Sequence, residues 1–166
     1  FYSYSEHYVL GDVFVLTSPD KEKGILLELK GKGCRQMESY LLAQHRSWFD
    51  FLMETLVEGG VMKRLDLAIN DMAGILDVPE LTEKSNHEEC IYVFRSFKSY
   101  RSGELVRSHE QDRYGMGNTL YIGSLKSEVY FCIYEKDYEQ YVKYDIPIED
   151  TKIKNRFEIR LKNERA

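Results

Sequence analysis

Along the 166-residue chain, apolar and polar positions alternate over short stretches far more often than apolar positions recur with helical spacing. Alternation sends successive side chains to opposite faces of a strand, whereas a spacing of three and four builds one face of a helix. Residues 8–17, rich in β-branched and aromatic side chains, predict a strand. Residues 25–30 predict its hairpin partner, across the turn-forming run from Ser18 to Gly24. Gly31-Lys-Gly33 ends that pair. Met37, Leu41, Trp48, Leu52 and Leu56 then fall on one face of a single long amphipathic helix that stops at Gly59-Gly60.

Beyond it, residues 61–71 alternate with Leu65, Leu67 and Ile69 on one side and Arg64, Asp66, Ala68 and Asn70 on the other. A short helix is expected around residues 79–85. Strands are expected over 90–97, 119–122, 129–134 and 156–162, with 119–122 and 129–134 joined by Gly123-Ser-Leu-Lys-Ser-Glu128. In the last strand Phe157, Ile159 and Leu161 face inward, and Arg156, Glu158, Arg160 and Lys162 outward. Strands dominate and the hairpins imply antiparallel pairing, so the class is α+β: a mainly antiparallel sheet covered by one long helix. No repeat divides the chain. One domain over residues 1–166, a piece of a longer protein, is the expectation.

Charge changes this picture little. A net charge of -5 argues against holding nucleic acid by bulk attraction, yet leaves room for a local basic groove. One candidate stretch holds Arg95, Lys98, Arg101 and Arg107; another holds Lys152, Lys154, Arg156, Arg160, Lys162 and Arg165. Ordinary solvated cations explain the spacing equally well. Cys34, Cys90 and Cys132 form no CxxC pair and read as reduced thiols. With no apolar run near the roughly 20 residues a bilayer requires, and no signal peptide at the start, the expected location is cytoplasmic.

Candidate chemistry lies on polar strand faces. Continued strand parity puts Tyr130, Cys132, Tyr134 and Lys136 on one face, while Asp66 and Glu158 hold central places on two other strands. If these faces align, two carboxylates, a tyrosine and a lysine converge, a set suited to Mg²⁺ or Mn²⁺ and to attack on a phosphodiester. Solvent-facing ion pairs explain the same pattern, and parity does not select Tyr134 among its neighbours. His7, His45, His87 and His109 lack zinc-site spacing. No Walker loop occurs, and Gly31-Lys-Gly-Cys-Arg35 reads either as a phosphate-receiving helix start or as a plain turn.

Five stretches taken in order resemble the replication initiation factor family of rolling-circle plasmid initiators and related relaxases of integrative and conjugative elements. They are Gly31-Lys-Gly-Cys-Arg-Gln-Met-Glu38, Arg64-Leu-Asp-Leu-Ala-Ile-Asn-Asp71, Gly117-Asn-Thr-Leu-Tyr-Ile-Gly-Ser124 with Lys126-Ser-Glu128, Phe131-Cys-Ile-Tyr-Glu-Lys136, and Phe157-Glu-Ile-Arg-Leu-Lys162. The resemblance implies a relaxase-like core that nicks single-stranded origin DNA through a 5′-phosphotyrosyl link with a divalent metal. It implies Tyr134 as nucleophile with Lys136 beside it, and Asp66 and Glu158 as metal ligands. Arg64, Lys126 and Arg160 become the DNA-contacting candidates, and a homodimer is one option. Two departures stand out: Cys132 replaces a basic residue, and Asn70 replaces an aspartate, with Asp71 as a substitute ligand. A DNA-binding module that has lost cutting, and an interaction domain with no DNA role, are the competing readings.

Overall fold

The computed structural model describes residues 4–90, 92, 94, 96–102 and 117–166. Arg95, Arg107 and His109 therefore lie outside the described residues. The chain divides into two compact units, Phe1–Val61 and Met62–Ala166. Among the described residues no helix is long and apolar enough to cross a membrane.

The first unit is a three-stranded antiparallel meander with two helices. Strands β1 (Glu6–Leu10), β2 (Val13–Thr17) and β3 (Leu26–Leu29) pair in that order. The expected single strand over 8–17 thus folds back on itself, with Leu10 opposite Val13. Gly11, at φ 61°, supplies the left-handed backbone this two-residue turn requires.

The expected long helix is also two: α1 (Lys32–Ala43) and α2 (Trp48–Val57). His45 turns left-handed, and the Arg46 N–H reaches back to the Leu41 carbonyl, closing α1. Ser47 then starts α2 with a capping box, accepting from the Asp50 N–H while the Asp50 carboxylate accepts from the Ser47 N–H. Apolar spacing carried across residues 44–47 masked this stop and restart.

The second unit is a five-stranded sheet in the order β4-β8-β7-β6-β5, antiparallel throughout. Its strands are β4 (Arg64–Asp71), β5 (Phe97–Ser102), β6 (Gly117–Ile122), β7 (Val129–Glu135) and β8 (Asn155–Lys162). Of the strand expected over 90–97, residues 91, 93 and 95 lie outside the described residues, and β5 begins at Phe97. The C-terminal β8 enters between β4 and β7, so residues from both ends of the unit share one face.

The opposite face is apolar and lies under α3 (Val78–Asn86), which packs against β5, β6 and β7. Val78, Leu120, Ile122 and Ile133 form the buried core there, flanked by Leu81, Phe131 and Phe157. The helix packed on this apolar face within the second unit is α3. A fourth helix, α4 (Lys136–Tyr144), begins directly where β7 ends.

Asp71, weighed as a substitute ligand, has the other parity and a structural task. It accepts from the Leu76 N–H at 2.8 Å, the Ala73 N–H at 3.2 Å and Asn155 Nδ2 at 3.0 Å. The Asn155 hydrogen bond, followed by that from Leu76, lowers its pKa from 3.8 to about 2. A lowered folded-state value stabilises the fold above the unfolded pKa, and that contribution disappears as pH falls through the folded one. Urea unfolding from pH 5 down to about pH 2 is expected to show a shallower loss of stability in Asp71→Asn than in the parent chain.

Candidate active site on the polar sheet face

Register fixes which side chains meet. Tyr134 stands opposite Arg156, Cys132 opposite Glu158 and Tyr130 opposite Arg160; on the other side of β8, Asp66 stands opposite Arg160 and Ala68 opposite Glu158. Directly paired residues point to one face. Asp66, Glu158, Arg160, Tyr130, Cys132 and Tyr134 therefore share the face away from α3.

At its centre Glu158 is only 8% exposed, so its charge demands partners. The Tyr134 hydroxyl donates to Glu158 Oε1 at 2.9 Å. Arg160 donates to Glu158 Oε2 through Nε at 3.0 Å and Nη2 at 2.7 Å. The same guanidinium lies 3.7 Å from Asp66 Oδ2 and donates to the Tyr130 hydroxyl at 3.4 Å. Arg64 grips Asp66 with two hydrogen bonds, Nε to Oδ1 at 2.8 Å and Nη2 to Oδ2 at 2.6 Å. Arg156 donates to Asn70 Oδ1 at 2.8 Å and lies 3.8 Å from Glu158 Oε1.

The two carboxylates expected to act together thus occupy diagonal places on adjacent strands of one face. Arg160 stands between them as counter-charge. Among the described residues no group of three or more His, Cys, Asp or Glu side chains gathers as a metal site. Asp66 and Glu158 still offer the hard oxygen donors that fit Mg²⁺ or Mn²⁺, ions that commonly take only one or two protein carboxylates and fill the remaining positions with water and phosphate.

Lys136 reaches the site by another route than strand parity. It is the first residue of α4, with its ammonium 5.5 Å from the Tyr134 ring centroid and paired to Glu139. Lys126 is exposed in the β6–β7 loop, at the end of β7 remote from Tyr134, so the structure does not bring it to the tyrosine. Sequence reasoning missed Glu139 and the groove wall that α4 provides. The signal was Lys136, Glu139 and Lys143, spaced three and four apart.

Burial, reinforced by the Glu158 and Glu139 carboxylates, pushes the Tyr134 phenol well above the ordinary tyrosine range. The hydrogen bond to Glu158 holds the proton on the phenol oxygen side of this pair. Burial raises Cys132 to about 11 and Tyr121 to about 12. For Arg160, burial works to lower the value, but hydrogen bonds to Tyr130 and Glu158 outweigh it and the net shift is upward. Arg160 is a fixed cation.

A groove of about 570 Å³ runs beside this cluster, with Thr119, Tyr121, Cys132 and Tyr134 on its floor and Tyr138, Glu139 and Val142 on the α4 wall. Gly117 is required at its end, because a Cβ there would come 2.8 Å from the Tyr138 Cβ.

Residues 60–166 match the family model described as replication initiation factor, and residues 1–54 match that of the rolling circle replication initiation protein N-terminal domain. The Bacillus subtilis (strain 168) protein named "Putative DNA relaxase NicK" is 46% identical over 167 residues, covering 100% of this chain and 46% of that protein. A rolling circle replication initiator protein structure from Geobacillus stearothermophilus superposes with a TM-score of 0.71 at 27% identity, covering 95% of this chain and 54% of the other. The chain spans about half the length of both relatives. Matched along most of its length, second unit included, the chain belongs to the replication initiation factor family.

Proposed function

We propose that this chain carries the nicking site of a DNA transesterase, in which Tyr134 attacks a phosphodiester of single-stranded origin DNA and leaves a 5′-phosphotyrosyl link and a free 3′-hydroxyl. The observation that carries the reading is the 2.9 Å hydrogen bond from the Tyr134 hydroxyl to a buried carboxylate. A nucleophile already bonded to a group able to accept its proton is the arrangement that activated hydroxyls share. Family membership and relatives named as a relaxase and a replication initiator support the same reading.

Each residue then has a task. Tyr134 supplies the attacking oxygen, and Glu158 Oε1 stands where the phenol proton departs. Asp66 and Glu158 would hold a divalent cation, which when bound neutralises charge developing on a phosphate oxygen. Arg160, Arg64 and Lys136 surround these groups with fixed positive charge, suited to holding phosphate without reading base sequence. Lys126, exposed in the β6–β7 loop, suits the DNA strand beyond the site.

Incubating the protein with single-stranded origin DNA and Mn²⁺ is expected to give a covalent adduct on a denaturing gel. Tyr134→Phe is expected to abolish it while keeping fold and DNA binding; Tyr130→Phe and Tyr138→Phe are expected to retain it, and chelation of the metal to prevent it. An adduct surviving in Tyr134→Phe refutes the assignment. DNA binding without any adduct in the parent chain favours the non-cutting DNA-binding module instead.

Arg160 and Arg64 are expected to separate in stability. Arg160→Ala strips a counter-charge from nearly buried Glu158 and should cost about 2 kcal/mol in urea unfolding. Arg64→Ala breaks a more exposed pair and should cost less than about 1 kcal/mol.

A further inference from the structure

We infer that the groove between α4 and the polar face of β6 and β7 is a nucleobase subsite, taking one unstacked base of a single-stranded DNA nucleotide that adjoins the phosphate attacked by Tyr134. The inference rests on the nicking reading for its placement but assigns a different surface. Position argues first: Tyr134 lies on the groove floor, so a nucleotide flanking its target phosphate meets the groove.

Size and lining argue second. The volume of about 570 Å³ falls within the roughly 300–1,000 Å³ usual for small-ligand sites. Tyr121 and Tyr138 both line it, from floor and wall respectively, with Val142 adding apolar surface. Burial holds the Tyr121 hydroxyl up at about 12 and raises that of Tyr138, so both rings stay neutral beside DNA. Neutral aromatic rings are what single-stranded nucleic acid sites use to stack bases, with little demand on base identity.

Charge argues third. Of the acids in the lining, Glu139 is paired by Lys136 and Lys143, and Glu135 accepts from the backbone N–H and side-chain amide of Asn118. Glu158 behind the floor is matched by Arg160. Glu139 and Glu158 are thus offset by cations where a polyanion would approach, and Lys143, with its side chain 57% exposed, marks the rim for a neighbouring phosphate.

The test uses an oligothymidylate carrying one 5-iododeoxyuridine, which on irradiation crosslinks to a stacked aromatic ring. Peptide mapping is expected to find the crosslink on Tyr138 or Tyr121. Crosslinks only at other residues, or no binding of the oligonucleotide, overturn the inference. In titrations without irradiation, Tyr138→Ala is expected to bind about tenfold more weakly, with an unchanged dependence on salt because no phosphate contact is lost. Tyr138→Phe is expected to bind like the parent chain. Equal affinity in Tyr138→Ala, or an equal loss in Tyr138→Phe, overturns the subsite. If Tyr138→Ala unfolds, Val142→Trp gives the same reading by filling the groove from a position 56% exposed. Weak binding supports the subsite, and parent-like affinity overturns it. The covalent-adduct assay separates the two ideas: an adduct without a groove crosslink overturns the subsite alone, and a groove crosslink without an adduct overturns the nicking reading alone.

Discussion

A carboxylate buried in the middle of a sheet face has to be matched, and the pairing of Glu158 with Arg160 is the constraint on which the polar face depends. Desolvating an unpaired carboxylate costs several kcal/mol, far more than a surface position could offset. Arg160 meets that demand with two hydrogen bonds to one oxygen, leaving the other oxygen to the Tyr134 hydroxyl. Its remaining reach extends to Asp66 on β4 and Tyr130 on β7. One guanidinium thus links three strands and fixes the rotamers around the tyrosine.

The two faces of the sheet divide the work. Under α3, Val78, Leu120, Ile122 and Ile133 supply the apolar burial that keeps the sheet rigid. Over the other face α4 rises straight from the end of β7, its start tied down by the Lys136 N–H donating to the Lys154 carbonyl at 2.7 Å. This direct passage from strand to helix places Tyr138 and Glu139 beside Tyr134. A site held by strands and by a helix anchored at its first residue is better preorganised for chemistry than one carried on loops.

Much of the second unit was legible along the chain. Alternation in residues 61–71, 129–134 and 156–162 assigned Asp66, Tyr134 and Glu158 to polar faces because strand periodicity has only two outcomes per residue. The same logic failed at Lys136, where the strand had already become a helix, and at residues 8–17, where Gly11 reverses the chain. It failed again at residues 44–47, where hydrogen bonds from Arg46 and Ser47 interrupt a continuous apolar stripe. In each case local backbone hydrogen bonding overrode a periodic pattern.

The sequence by itself determined the α+β class, the polar faces of the strands and the short list of groups able to do chemistry, because these follow from side-chain type and spacing. Tertiary structure alone decided that the C-terminal strand enters between β4 and β7, and so that Glu158 meets Tyr134 and Arg160 comes between Asp66 and Glu158. It also decided that burial and the Glu158 carboxylate lift the Tyr134 phenol above the ordinary tyrosine range. Strand order and register depend on pairing across all five strands together with apolar burial of β6 and β7 against α3, and pKa values depend on the burial and charge that result; neither quantity is carried by any one stretch of chain.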